Sequence, residues 1–285
     1  MRTSNLRRLA LLLLAFVGFL QMAALDGVKR LQYVADADKA IAEERWNDAA
    51  DLIMSALKEE PANPSNALLV SNLGIVRFNQ GQDSLALVTL DEAHDMAPNS
   101  VTILSNRARV RTALGNVNGA IADLRRVCEL DSTLSQPLFT LGMLLLRTEQ
   151  AEAADSVALR LKKLVPNTAD THVLFGSIAM NKHNWKEAVK QFALAVRTDP
   201  CAEYYMSLAW AALHDDDLAQ ASEAITEGLR LDPLSTDLLL ARIILCRKQY
   251  RPNDAQAAAN QAVQAGAPAA EVRLYLQGPL SQFGF

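Results

Sequence analysis

Residues 169–200 read ADTHVLFGSIAMNKHNWKEAVKQFALAVRTDP, and this stretch decides the fold. Two segments with apolar residues three and four positions apart flank the polar turn His183-Asn184, and Pro200 closes the second segment. That spacing predicts two amphipathic helices, because residues three and four apart lie on one helix face. The small residues Gly176 and Ala188 indicate where the two backbones approach closely. The stretch therefore predicts a packed pair of helices.

The same pattern recurs along the chain with a period of about 34 residues. Proline or a substitute recurs at spacings of 37, 34, 34, 34 and 33 residues, at Pro61, Pro98, Ser132, Pro166, Pro200 and Pro233. The residue twelve positions earlier is alanine in every case: Ala49, Ala86, Ala120, Ala154, Ala188 and Ala221. Because one helix pair cannot cover its own apolar faces, the period predicts that successive pairs stack into a solenoid.

In these residues the chain resembles the tetratricopeptide repeat (TPR) family, over about residues 30–267. The resemblance implies an all-α fold, a TPR helix-turn-helix superhelical solenoid with a concave groove. Within a domain at 26–285, repeats are predicted near 30–63, 67–100, 101–134, 135–168, 169–201 and 202–233, with a degenerate seventh at 234–267 and a cap at 268–285. The apolar end at 274–285 is expected to cap the solenoid or to dock on another chain.

Two arginines depart from the family pattern. Arg107 and Arg111 stand in the third repeat where the family usually places apolar residues. Burying unpaired arginines is costly, so we expect acidic partners nearby or an inter-helix face that is open to water.

The N-terminus has the pattern of an export signal. Residues 1–8 carry three arginines and no acid, and the 17 residues at 9–25 are uncharged. A positive segment followed by an apolar block is typical of a signal peptide, and 17 residues is also the lower limit for a membrane span. Residues 1–25 are therefore predicted to be a signal peptide or an uncleaved N-terminal membrane anchor, with a buried core helix as the third interpretation. Either of the first two places the remainder outside the cytoplasm, in the periplasm or anchored to the inner membrane, with membrane contact only through residues 9–25.

Several classes of activity find no support in the sequence. The formal charge of −4 and the absence of a long basic run disfavour a nucleic-acid partner. No G-x-S-x-G, H-E-x-x-H, Walker A or G-x-G-x-x-G motif occurs. The histidines fall singly in four repeats, without the convergent donors that a metal needs, and three cysteines without C-x-x-C make no disulfide framework: His94, His172, His183, His214, Cys128, Cys201 and Cys246. We predict no enzymatic activity, no cofactor and no metal.

The groove that the resemblance implies is lined by the first helix of each repeat. Its predicted partner-binding residues are Asn72, Asn106, Arg109, Phe139, Met143, Met180, Met206, Trp210 and Leu213. The surface is polar with one cation in the third repeat and apolar from the fourth onward, which suits an amphipathic or extended peptide. Phe139 and Met143 fit groove or inter-repeat packing equally well, whereas Trp210 favours the groove. Trp46 and Trp185, at equivalent places in second helices, are predicted to pack between repeats.

These observations predict a non-enzymatic TPR scaffold or adaptor that binds a protein or peptide partner in its groove, in a bacterial cell-envelope assembly. Two alternatives remain: an envelope protein that binds glycan or peptidoglycan, and a non-catalytic subunit of an enzyme complex. A clamp for chaperone carboxylates is disfavoured, because only Asn72 matches the residues that the family uses for that purpose.

Overall fold

A computed structural model describes residues 28–285, so the predicted leader at 1–25 lies outside the described residues. The described part is helical and contains no strand. Its helices are α1 at 28–42, α2 Trp46–Glu59, α3 Asn66–Asn79, α4 Asp83–Met96, α5 Val101–Ala113, α6 Val117–Leu130, α7 Ser135–Arg147, α8 Ala151–Leu164, α9 Ala169–Asn181, α10 Trp185–Thr198, α11 Ala202–His214, α12 Leu218–Leu231, α13 Thr236–Lys248, α14 Pro252–Gln264 and α15 Ala269–Gln277. A short 3-10 helix, Leu280–Phe283, follows.

The chain forms two compact units that divide after Ser132. The first unit contains the helix pairs from α1 to α6, and the second contains four pairs, from α7 to α14, together with α15. Within each unit the helices of a pair pack together, and each pair packs on the next. No helix of the described residues is long and apolar enough to cross a membrane.

The turn inside each helix pair uses the same backbone device. One residue of each turn has a positive φ, in the left-handed region that ends a helix by closing its last carbonyls. The seven residues are Glu44, Gly81, Gly115, Glu149, His183, Asp216 and Tyr250. In these turns glycine supplies the conformation at two of the three positions in the first unit, and residues with a side chain supply it at all four positions in the second.

Small residues let the helices of a pair approach closely, as the sequence predicts. The alanine that recurs once in each of the first six second helices has no exposed surface in any of them: Ala49, Ala86, Ala120, Ala154, Ala188 and Ala221. At Gly176 of α9, a Cβ atom would lie 2.8 Å from the Phe192 ring of α10. A repeat with a larger residue at that position could not close the same distance without moving the ring.

Arg107 and Arg111 have the acidic partners that we expected. Arg107 binds Asp123 through two hydrogen bonds of 3.0 and 2.7 Å and Asp91 through one of 2.9 Å. Arg111 donates to the same two carboxylates, at 2.8 and 3.0 Å. The Arg107 and Asp123 side chains are only 8% and 4% exposed. These four residues, which we call the ion cluster, link α4, α5 and α6 in the first unit.

The charges in the ion cluster stabilise one another. Burial lowers the pKa of the Arg107 guanidinium, but the hydrogen bonds and negative charges of Asp123 and Asp91 outweigh burial and raise it above its ordinary value. Asp123, almost completely buried, accepts from both arginines, so each buried charge has a partner of opposite sign.

Candidate functional site

The polar part of the predicted groove lies in the first unit. Asn106 on α5 donates from its amide to the hydroxyl of Ser71 on α3 at 3.1 Å, and Ser71 is completely buried. Asn106 is therefore partly committed to packing between repeats. Asn72 is half-buried and Arg109 is exposed, so both side chains can be reached from solvent.

The apolar part of the predicted groove lies in the second unit. Phe139 of α7, Met180 of α9, and Met206 and Trp210 of α11 are all half-buried and pack against one core cluster. Met143 is half-buried on α7. We call these five side chains the apolar first-helix surface. Phe139 thus contributes to both interpretations, since it packs on the core and keeps some exposed surface.

Leu213 does not belong to this surface, and its assignment to the groove was wrong. Its side chain has no exposed area and lies in the core cluster together with Ala188 and Leu245. Leu213 lies in the last turn of α11, three residues after Trp210. Its side chain therefore points about 60° away from that of Trp210 around the helix axis. That rotation is enough to bring a side chain from the outer face into the core.

Beside Trp210 the structure brings together aromatic rings that sequence reasoning treated separately. His214 stacks on Trp185 and on Phe285, each with ring centroids 4.4 Å apart. Trp210 lies 6.5 Å from Phe285 and 6.1 Å from Tyr275. The last residues of the chain thus fold back onto α11. We call residues 279–285 the tail.

Two basic side chains of α13 contact the tail and the segment just before it. Arg247 donates to the backbone carbonyl oxygens of Tyr275 and Gly278, both at 2.6 Å. Lys248 places its ammonium group 4.7 Å from the centroid of the Phe285 ring, a cation–π contact. The same ammonium is fixed by Asp216 at 2.8 Å and by the carbonyl oxygen of Leu213 at 2.9 Å.

The surroundings of His214 disfavour its protonated form. Burial lowers its pKa from the ordinary value of 6.5, and the positive charge of Lys248 lowers it further. A neutral imidazole between Trp185 and Phe285 avoids placing a second positive charge beside Lys248.

The sequence contained one signal for this arrangement. The apolar end of the chain was expected to cap the solenoid or dock on another chain, and the structure shows that it packs on its own unit through Leu280, Phe283 and Phe285. The sequence predicts a surface or groove position for His214 rather than a metal ligand, and it gives no sign of the ring stack. The half-buried Trp46 packs against a core cluster of the first unit, and Trp185 stacks on His214 of the next repeat, in agreement with the predicted packing roles.

No group of three His, Cys, Asp or Glu side chains within 28–285 converges to hold a metal. Burial and the negative charge of Asp170 raise the pKa of Tyr204 to about 12, so this phenol stays protonated and serves as a hydrogen-bond partner of Asp170. Cys128 and Cys246 are buried in the cores of their units.

The helix pairs and their turns define the class of protein, a TPR-type helical repeat. Residues 173–236 match the tetratricopeptide repeat family. The fold is similar to that of a tetratricopeptide repeat protein from Parabacteroides merdae, with a TM-score of 0.73 and 19% identity over 87% of this chain and 98% of that one. It is also similar to YrrB, a TPR protein with an unusual peptide-binding site, with a TM-score of 0.51 and 20% identity over 68% of this chain and 98% of YrrB.

A curated relative matches part of the chain. Protein FlbA of Caulobacter vibrioides is 32% identical over 108 residues, which is 38% of this chain and 17% of FlbA. The chain thus spans less than a fifth of that relative's length. Together with the helix pairs, these similarities confirm the predicted all-α TPR fold and support a tetratricopeptide repeat protein.

Proposed function

We propose that this chain is a non-enzymatic TPR scaffold that binds a protein or peptide partner through the apolar first-helix surface of its second unit. One observation carries the proposal: Phe139, Met180, Met206 and Trp210 come together on first helices, each only half-buried. Methionine and tryptophan side chains in such a setting are adaptable anchors for an apolar partner.

The polar residues of the first unit are considered by themselves. Arg109 is exposed and Asn72 is half-buried, so within the first unit they can donate hydrogen bonds to carbonyl or carboxylate oxygens of a protein or peptide. The likeness to YrrB supports a peptide as the partner, because that protein has the same fold and a peptide-binding site.

The proposed place of action is the bacterial cell envelope. The support is the sequence of residues 1–25, with three arginines ahead of 17 uncharged residues. Fusion of residues 1–40 to a phosphatase that is active only outside the cytoplasm tests this. Activity is expected for the natural sequence and should be lost when Leu12 and Leu13 are replaced by arginine; an inactive natural fusion would contradict export.

Affinity capture with matched variants tests the binding surface. The full chain is used as bait in envelope extract, beside Met143→Asp, which places a charge on the apolar first-helix surface. Leu159→Asp is the control, because Leu159 is 62% exposed on α8, a second helix of the same unit. A protein held by the natural chain and by Leu159→Asp, but released by Met143→Asp, supports the proposal. Equal capture by all three baits, with circular dichroism showing all three folded, contradicts it.

A further inference from the structure

We propose that four side chains form a binding seat for a partner segment with two aromatic residues separated by one residue, and that the tail occupies this seat until such a segment displaces it: Trp210, His214, Lys248 and Tyr275. The inference rests on the proposed function, since it names the chemistry of one partner and the contact that controls its access. We call these four side chains the aromatic seat.

The tail fills the seat as a ligand would. The Phe285 ring stacks on His214 at 4.4 Å and lies 4.7 Å from the Lys248 ammonium, so two side chains meet it in geometries that favour an aromatic ring. Phe283 stacks on Tyr275 of α15 at 4.4 Å, beside Trp210. The two phenylalanines therefore use two adjacent positions, separated by Gly284.

The residue between the two rings is restricted. Gly284 has φ +81°, and a Cβ atom there would lie 3.2 Å from Cε1 of His214. A side chain at this point would meet both an unfavourable backbone conformation and a close neighbour. The seat thus selects a segment of the form aromatic-glycine-aromatic.

The tail is held weakly enough to leave. The 3-10 helix Leu280–Phe283 contains no buried residue, and Leu280, Phe283 and Phe285 are only half-buried. The hydrogen bonds from Arg247 stop at Gly278, and those of residues 279–285 run within the segment or to α15, apart from one contact between the His214 ring and the Gly284 backbone. Such a segment can open while the helix pairs stay folded.

An empty seat would be a recognition surface. Removal of the tail uncovers Trp210 and the second face of His214, beside the fixed charge of Lys248. Exposed apolar surface of this kind, centred on tryptophan and rimmed by charge, marks a protein-interaction site. The occupant that the geometry favours is a segment with the same two rings as the tail.

Fluorescence anisotropy with a labelled peptide of residues 279–285, PLSQFGF, blocked at both ends, tests the proposal. The full natural chain is compared with the double variant Phe283→Ala, Phe285→Ala, whose seat is vacant. In the natural chain the tail occupies the seat most of the time, so the peptide can bind only the fraction of molecules whose seat is vacant. The double variant should therefore bind the peptide about ten-fold more tightly or better. A peptide PLSQAGA should not bind either chain.

A second variant guards against an effect on folding. Gly284→Val keeps both tail rings but disfavours the docked backbone, so it should also raise peptide affinity. Adding His214→Ala to either tail variant should abolish the gain, with circular dichroism unchanged. No peptide binding to the vacant seat, or equal binding to the natural and tail-variant chains, would overturn the proposal.

The result can be separated from a failure of the proposed function. A partner that depends on Met143 but binds the natural chain and the tail variants equally would leave the scaffold role standing and overturn the aromatic seat. Peptide binding that rises in the tail variants, while no partner depends on Met143, would support the seat and contradict the wider surface.

Discussion

The helix pairs α5–α6 and α7–α8 have the same backbone arrangement, but different side chains fill the space between their helices. These side chains are charged in the first pair and apolar in the second. The seventh residue of α5 is Arg107 and the seventh of α6 is Asp123, whereas the same places in α7 and α8 hold Leu141 and Val157. All four are buried. The repeat therefore requires that the inter-helix space is filled and that any charge in it is paired; it does not require apolar side chains.

We expect the largest loss of stability when the ion cluster is broken. Asp123→Ala removes the carboxylate that binds both arginines and leaves Arg107 buried with only Asp91. The free energy of unfolding should fall by about 3–5 kcal/mol, the usual cost of leaving one member of a buried ion pair. Urea unfolding followed by circular dichroism measures it. Asp91→Ala is the control, since Asp91 is half-exposed and should cost about 1 kcal/mol or less; equal losses would show that burial does not decide the energetics.

A second experiment replaces the charged residues of the α5–α6 pair with the apolar residues of the α7–α8 pair. Arg107→Leu, Arg111→Leu and Asp123→Val together give the third repeat the residues of the fourth, where the eleventh residue of α7 is Leu145. Buried ion clusters replaced by apolar residues of similar size are commonly as stable or more stable by about 1–4 kcal/mol. We expect the triple variant to unfold at the same or higher urea concentration than the natural chain. A stability as low as that of Asp123→Ala would mean that the ion cluster is needed for the packing of α4, α5 and α6.

These regions also show what sequence alone can predict. The period of about 34 residues and the recurring alanines, which the structure buries, predicted the helix pairs. Helices that pack closely need a small residue at the same position of every repeat. The need for acids near Arg107 followed from the cost of burying charge. The docking of Phe285 on His214 could not be foreseen, since the residues are 71 positions apart and no periodic pattern relates them. Leu213 was wrongly assigned to the groove because a rotation of about 60° around the helix axis moves a side chain from the groove face to the core within one turn.

The turns give a smaller contrast between the two units. Gly115 in the first unit and Glu149 in the second occupy the same place after α5 and α7, both with positive φ. A Cβ atom at Gly115 would meet nothing within 4 Å, so only the backbone resists a side chain there. Gly115→Ala should therefore lower the free energy of unfolding by about 1 kcal/mol, and Glu149→Gly should raise it by up to about 1 kcal/mol. Thermal unfolding measures both, and a destabilising Glu149→Gly would contradict the strain.

The smallest effect should be a pH dependence of tail docking. Burial and the charge of Lys248, which is paired with Asp216, lower the pKa of His214 below 6.5 and outweigh the hydrogen bond with the Gly284 backbone, which raises it; His183 adds a smaller lowering. When the tail leaves, His214 becomes more exposed and its pKa returns toward 6.5, so the open state binds the proton more tightly. Docking is then complete above pH 6.5 and weakens as the pH falls through that value. Proteolysis of the tail between pH 7.5 and 5.5, corrected for the protease, should accelerate in the natural chain and in His183→Asn but not in His214→Phe, which stacks without titrating. The same acceleration in His214→Phe would assign the pH dependence to another group.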